Sequence, residues 1–324
     1  MRLLKLVPDD TNIDFLRWRK FASAASFLLV LLSIALVAVR GLNFGIDFVG
    51  GQSVRVEFPA EMPPIEDIRE AVSNVGLGEA TIQQFGSEKA VSIRTLLPEG
   101  ENVTADSAGQ QLVAGIKEAF PTARTGAVET VSGKVSGELL RTGALSLGLA
   151  MLAISIYIWV RFEWQFGVGA MGRLFHEVAL TFGFFAVTQI QFDLNSVAAL
   201  LTIVGYSLND TIVVYDRVRE NLKKYRKMEI IPLLNLSINE TLARTVMTSV
   251  SMLLALAVLV IFGPDVIFGF SAAMLLGVFV GTYSSILMST PVLVWLKVGP
   301  HSFVPRTAEG GAERVTRSDD GAVV

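Results

Sequence analysis

Residues Ser196–Val214 read SVAALLTIVGYSLNDTIVV. At 1.5 Å per residue a helix of this length crosses the ~30 Å hydrocarbon core of a bilayer. Its one charged position is Asp210. An acid at the middle of a spanning helix costs about 2.5–3.5 kcal/mol on the insertion scale. Loss of water disfavours the ionised form, so such a group can take a proton from a wet cavity and release it when its surroundings change. At 100° per residue, Thr202, Tyr206, Asn209 and Asp210 fall within one wedge of about 80–100°. Lipid offers these side chains no hydrogen bonds, so the wedge is expected to face other helices or a hydrated cavity. Two plainer readings stand beside the proton site: Asp210 as an interhelical hydrogen-bond clamp, and an early helix end that leaves it interfacial.

Working outward, five more stretches are long and apolar enough to span: Phe21–Val39, Thr142–Val160, Leu174–Ile190, Val246–Phe262 and Val266–Met288. The 324-residue chain is 52% hydrophobic and 18% charged, with a mean hydropathy of +0.53. Soluble proteins carry about 25% charged residues, so the expected fold is an α-helical polytopic membrane protein with six transmembrane helices. The first span is too long for a signal-peptide core, and no clear cleavage site follows it.

Lysine and arginine set the expected orientation. Arg2, Lys5, Arg17, Arg19 and Lys20 precede the first span. Arg217, Arg219, Lys223, Lys224, Arg226 and Lys227 follow the fourth, and Lys297, Arg306, Arg314 and Arg317 follow the sixth. Six crossings place all three clusters on one side, which the positive-inside rule makes the cytoplasm. The expected layout is a cytoplasmic segment 1–20, a first helix 21–40, an exported domain 41–137, helices two to six over 138–298 with a basic cytoplasmic connector 217–243, and a disordered cytoplasmic tail 299–324. Within the connector, Glu220 and Lys224 stand at the favourable i,i+4 spacing.

The inserted segment has the pattern of a small folded domain. Gln52–Phe58 reads as a strand and Pro64–Val75 as a helix with proline near its start. Thr81–Phe85 and Ala90–Leu96 read as strands around a Gly-Ser-Glu turn. Thr104–Phe120 reads as a helix ended by Pro121, and Thr125–Val131 as a last strand. The order βαββαβ predicts a ferredoxin-like α+β sandwich.

Composition removes several kinds of chemistry. There are no cysteines, hence no disulfides, thiolate metal sites or cysteine nucleophile. With two histidines, His176 and His301, a multi-histidine metal site is not expected. Neither GxxxxGK[ST] nor GxGxxG occurs, and no nucleophile–base pair stands out. The chain therefore reads as no enzyme, with no catalytic residue, metal or cofactor.

Three further features accompany Asp210. Arg244, at the start of the fifth span, either pairs with Asp210 or anchors the helix end. Arg173, His176 and Glu177 cluster at the start of the third span, where Glu177 joins the same relay or serves an interfacial role. Gly277, Gly281 and Ser285 form a small-residue seam suited to close helix approach.

These residues resemble a known family. Gly45-Ile-Asp-Phe-Val-Gly-Gly51, with Gly45, Asp47, Gly50 and Gly51, looks like the motif that follows the first helix in SecD/SecF protein-export subunits. Gly205-Tyr-Ser-Leu-Asn-Asp-Thr-Ile-Val-Val-Tyr-Asp-Arg-Val-Arg-Glu-Asn221 is similar to the fourth-helix signature of the SecF members. Arg244-Thr-Val-Met-Thr-Ser249 and Gly281-Thr-Tyr-Ser-Ser285 are similar to their fifth- and sixth-helix motifs. The resemblance implies an RND-superfamily half-repeat in the bacterial inner membrane. It implies a heterocomplex with SecD, association with the SecY/SecE/SecG channel, a YajC-type accessory subunit, a translocating preprotein as client, and no nucleic acid. It also implies that protons drive late export steps, through Asp210 and Arg244. One departure is His176-Glu177, where the family often has His-Asp; the charge is kept on a longer arm. The competing functions are a small-molecule exporter subunit of the RND type and a structural subunit that moves no ions.

Overall fold

The computed structural model describes residues 7–8, 11–77, 80–85, 87–96 and 105–299. Arg2, Lys5, Gly86 of the expected turn, and the tail with His301, Arg306, Arg314 and Arg317 lie outside the described residues.

Among the described residues, six helical segments are long and apolar enough to cross a membrane. The first, α1 (Arg19–Arg40), follows a short 3-10 turn, Phe15–Trp18. Next come a single-turn α2 (Ile46–Val49) and the inserted domain. The other spanning segments are α5 (Gly133–Arg161), α6 (Trp164–Thr188), α7 (Leu194–Lys224), α8 (Ile230–Phe262), and α9 (Phe268–Leu287), which breaks before a short α10 (Ser289–Trp295). Pro291 explains the break. It has no N–H to offer the Leu287 carbonyl, and its ring would collide with that oxygen.

The bundle has an inner and an outer set. On α6, α7 and α9 buried positions recur every three or four residues. On α1 only Ser26, Val30 and Ser33 are buried, while Phe27, Leu28, Leu31 and Leu32 stand exposed. That is the pattern of a helix that touches protein along one narrow stripe and offers leucine to lipid elsewhere. Its stripe lies on α6, where a Cβ on Gly183 would fall 2.4 Å from Ser33 Oγ. Small residues on both helices permit this approach.

The inserted domain comprises β1 (Gly51–Glu57), α3 (Ile65–Asn74), β2 (Ala80–Phe85), β3 (Ser87–Thr95), α4 (Ala105–Ala119) and β4 (Arg124–Val131). The sheet is antiparallel in the order β2-β3-β1-β4, the ferredoxin-like arrangement expected from the βαββαβ pattern. Period two on the strands and i,i+4 on the helices build its core. Val54 pairs with Ile93 and Val56 with Val91, and both pairs pack under Ile68, Val72, Leu112 and Ile116. The opposite face carries Ser53, Arg55, Ser92 and Arg94. It bounds a cavity of about 130 Å³ whose far wall is the ends of the bundle helices, through Asp193, Asp265 and Gly269.

Two local expectations are revised. The third span opens at Trp164, ten residues before Leu174. Glu220 accepts from Arg217 Nη1 at 2.6 Å, three residues away, and not from Lys224. The planar arginine fork also reaches Glu240 at 2.7 Å, so it holds two carboxylates that a lysine would serve less well.

Candidate functional site

Asp210 is 5% exposed and sits on the buried face of α7 with Ser207, Thr211 and Val214. The expected polar wedge is rotated from this face. Thr202 and Asn209 are exposed on the chain's surface and Tyr206 is half-buried, its hydroxyl donating to the Thr248 carbonyl at 3.3 Å. The inward polar set is therefore Ser207, Asp210 and Thr211. Helical winding showed which residues share a side, but not which edge of that side meets the other helices of this chain.

The deepest charge is not on α7. Arg173, in the middle of α6, is 1% exposed. A guanidinium has five N–H donors, and all five are used across two neighbouring helices. Nε donates to Ser284 Oγ at 3.0 Å. Nη1 donates to the Ser207 carbonyl at 2.6 Å and to Thr211 Oγ1. Nη2 donates to Ser207 Oγ at 2.5 Å and to the Gly281 carbonyl at 2.8 Å. Every acceptor is neutral, so the cation is solvated by protein dipoles without a direct carboxylate partner.

Glu177 lies one helical turn further along α6 and is fully buried. Its Oε2 accepts from Ser207 Oγ, so one hydroxyl bridges Arg173 and Glu177. Its Oε1 has no hydrogen-bond partner among the described residues. A Cβ on Gly281 would lie 2.5 Å from Oε1, 3.2 Å from Ser207 Oγ and 3.4 Å from Arg173 Nη2. The bare Cα of Gly281 thus makes the room into which these three groups converge. The seam residue Gly277, by contrast, makes room only for Ile203. His176 is buried beside them, edge-on to Tyr283 with ring centroids 6.1 Å apart, and neither ring nitrogen has a hydrogen-bond partner among the described residues.

The cluster meets the Asp210 face of α7 through Ser207 and Thr211, both of which accept from Arg173. Arg244 itself is exposed on α8, and among the described residues no ion pair within 4.0 Å joins it to Asp210. No hydrogen bond engages the Asp210 carboxylate among the described residues.

Sequence reading placed Arg173, His176 and Glu177 at a helix start because the preceding residues, WQFGVGAMG, hold three glycines and a glutamine. The third span is accordingly the least hydrophobic of the six, with mean hydropathy 1.2 against 2.5 for the first. Once the helix begins at Trp164, Arg173 is its tenth residue and stands well inside it. The available signal was the recurrence of glycine at Gly169 and Gly172 before a charged residue. Gly169 packs against the Tyr215 hydroxyl, where a Cβ would come within 2.4 Å.

The Gly45–Gly51 segment joins the inserted domain to this machinery. Phe44 bridges to Phe192 in parallel, Gly45 N donates to the Phe192 carbonyl at 2.8 Å, and Phe192 N donates to the Asn43 carbonyl at 2.8 Å. Asp47 Oδ2 accepts from Leu194 N at 3.0 Å, so it caps the first turn of α7 alongside Asp193, which forms a capping box with Ser196. Gly50 and Gly51 have φ of 78° and 112°. A Cβ on Gly51 would strike the Thr95 carbonyl at 2.5 Å, so β1 can enter the sheet here only without a side chain. On the domain side, Arg94 donates to the Phe44 carbonyl at 2.5 Å and to Asn43 Oδ1 at 2.7 Å. The helix that carries Asp210 is thereby tied at its capped end to the sheet.

Comparison with known proteins matches residues 111–299 to the family model of protein export membrane protein SecD/SecF, C-terminal, and residues 35–58 to the SecD/SecF GG motif. The protein translocase subunit SecF of Rhodobacter capsulatus is 46% identical over 305 residues, covering 90% of this chain and 91% of the relative. That of Rickettsia felis is 40% identical over 291 residues, covering 90% and 94%. The crystal structure of SecDF, a translocon-associated membrane protein from Thermus thermophilus, superposes with a TM-score of 0.81 at 34% identity, covering 89% of this chain. This chain spans 39% of that longer one. The chain belongs to the SecF branch of the SecD/SecF family of protein export membrane proteins.

Proposed function

We propose that this translocase subunit couples proton movement to late steps of protein export, acting with a SecD partner beside the SecY/SecE/SecG channel. Asp210 is the proton-binding group, Arg244 its alternating partner, and Asn209 a hydrogen-bonding neighbour on the outward edge. The observation that carries this reading is a carboxylate buried halfway along α7 that no hydrogen bond engages among the described residues. Intramembrane acids are costly and mark ion pathways. A membrane potential supplies about 2.3 kcal/mol per charge per 100 mV, enough to move a two-state equilibrium severalfold.

The exposed edge of α7 supports a partner seated there. Thr202, Gly205 and Asn209 line up there, and Arg244 is exposed on the adjoining α8. Lipid offers no partner to Asn209 or Arg244, which a second, related six-helix unit could supply. In this arrangement the chain lies in the inner membrane with residues 1–20, 217–243 and 299–324 in the cytoplasm and 41–137 in the periplasm, where the domain meets the emerging preprotein.

The test replaces Asp210 with Asn in the intact complex and follows both export of a secreted protein and proton flux. Export should fail while the subunit still co-purifies with its partner. Export at the normal rate would sink proton coupling through this residue and leave a structural subunit.

A further inference from the structure

Between α8 and α9 lies a groove of about 350 Å³. Val246, Val250 and Leu253 form its α8 wall, and Phe279, Tyr283 and Leu287 its α9 floor. Phe15, from the turn before α1, closes one end against Val246 and Leu287. At the other end Phe279 stands 61% exposed, near the middle of α9. Ser249 and Thr282 also line the groove, but Thr282 donates to Ser249 Oγ at 2.8 Å, so these two hydroxyls meet each other. What the groove offers a ligand is hydrocarbon. A void of this kind leaves its lining without atoms to touch on one side.

Length says what fits. The walls run from Val246 to Leu253 and from Phe279 to Leu287, about 12 Å at 1.5 Å per residue. The hydrocarbon core is ~30 Å thick, so the groove covers most of one leaflet and ends near the bilayer centre. A further spanning helix would need a seat of about 20 residues, roughly twice what is present. An acyl chain entering from the closed end needs no more than this.

The closed end lies at headgroup level and is positive. Trp18 and Phe21 are 63% and 70% exposed, with ring centroids 6.3 Å apart, and exposed aromatic rings of this kind mark the membrane–water boundary. Arg17, Arg19 and Lys20 stand within five residues of Phe15. Among the described residues no ion pair within 4.0 Å engages any of the three. The one carboxylate over residues 14–20, Asp14, accepts from Arg17 N and Asn235 Nδ2. These bonds, with those of Asn239 to Ile13, fix the segment on α8, so the cations are held beside the groove mouth. We propose that this groove binds one anionic diacyl phospholipid, with an acyl chain between α8 and α9 and the phosphate on the Arg17–Lys20 cations. A zwitterionic headgroup carries its own ammonium and gains less from them. The site is independent of the proton-coupling reading, although its floor residue Tyr283 has its ring against buried His176.

The experiment titrates the purified complex of the full chain and its partner with dioleoyl phosphatidylglycerol or dioleoyl phosphatidylcholine, and counts retained lipid by native mass spectrometry. Val250→Trp fills the groove and should retain one phosphatidylglycerol fewer than the wild type. Leu149→Trp, on the exposed side of α5, should retain the wild-type number. The double variant Arg17→Gln, Lys20→Gln should weaken binding of that one phosphatidylglycerol by a factor on the order of twenty, at about fivefold per cation, and leave phosphatidylcholine unchanged. It alters exposed side chains only, so it decides the matter if Val250→Trp does not assemble. Equal phosphatidylglycerol retention by the wild type and the double variant would overturn the proposal. Equal loss of both lipids in Val250→Trp, with no effect of the double variant, would reduce the groove to an unselective contact and overturn it too. Loss of a co-purifying protein from Val250→Trp, with lipid retention unchanged, would make the groove a protein seat and reject the lipid.

Discussion

Gly281 and Glu177 meet where a side chain on the first would displace the second: a Cβ on Gly281 would lie 2.5 Å from Glu177 Oε1. Gly277, one turn earlier on α9, would put its Cβ at the same distance from Ile203 Cγ1. The two substitutions create similar overpacking against different chemistry. Each alanine should cost about 1–3 kcal/mol in thermal unfolding of the purified complex. Gly281→Ala should in addition abolish export by the protein that remains folded, whereas Gly277→Ala should leave export per folded molecule near normal. Equal export from both variants would mean that the seat under Glu177 is only packing.

The Arg94 guanidinium joins the sheet to the segment that pairs with the start of α7. Burial pulls its pKa below the ordinary arginine value, and a guanidinium still keeps its charge at neutral pH. Replacing it with Gln removes the bonds to the Phe44 carbonyl and Asn43 Oδ1. Each charged bond contributes about 1.5–3 kcal/mol. The Phe192 amide, which donates to the Asn43 carbonyl, should then exchange with deuterium about tenfold faster or more. Unchanged exchange at Phe192 would show that the joint holds without Arg94.

Residues near the first helix are clipped to α8 by two asparagines one turn apart. Asn239 Oδ1 accepts from Ile13 N at 2.9 Å and its Nδ2 donates to the Ile13 carbonyl at 2.9 Å. Asn235 Oδ1 accepts from Leu16 N at 3.1 Å and its Nδ2 donates to Asp14 Oδ1 at 2.7 Å. At about 0.5–1.5 kcal/mol per bond, the double Asn235→Ala, Asn239→Ala variant should free the segment around the buried Leu16. Trypsin should cut after Arg17 in the variant well before it does in the wild type. Equal cutting would assign the docking to Leu16 alone.

How far the sequence reaches differs from element to element. The inserted domain was legible because its core repeats with the period of its backbone. Val54 and Val56, and Val91 and Ile93, alternate, while Ile68 and Val72, and Leu112 and Ile116, lie four apart. The strand order then follows from chain connectivity. The α6 boundary was less legible, since glycines that let neighbours approach also lower the hydropathy by which spans are recognised. The face of α7 was legible only as a side, because winding angle is local whereas the neighbour on each edge is not.

By itself the sequence determined that six helices cross a membrane, that a βαββαβ domain stands between the first two, and that Asp210 needs a reason to be where it is. Those properties depend on hydrophobicity, local period and the cost of one charge in lipid, all readable along the chain. Tertiary structure alone decided that Arg173 is buried with all five donors engaged, that Ser207 bridges it to Glu177, that Gly281 makes their room, and that Arg244 is exposed on α8. Each of these depends on which helix lies against which, over sequence separations of 34 and 108 residues for the Arg173 contacts with Ser207 and Gly281. The long-range interaction of a buried charge is set by that packing and not by any stretch of neighbouring residues.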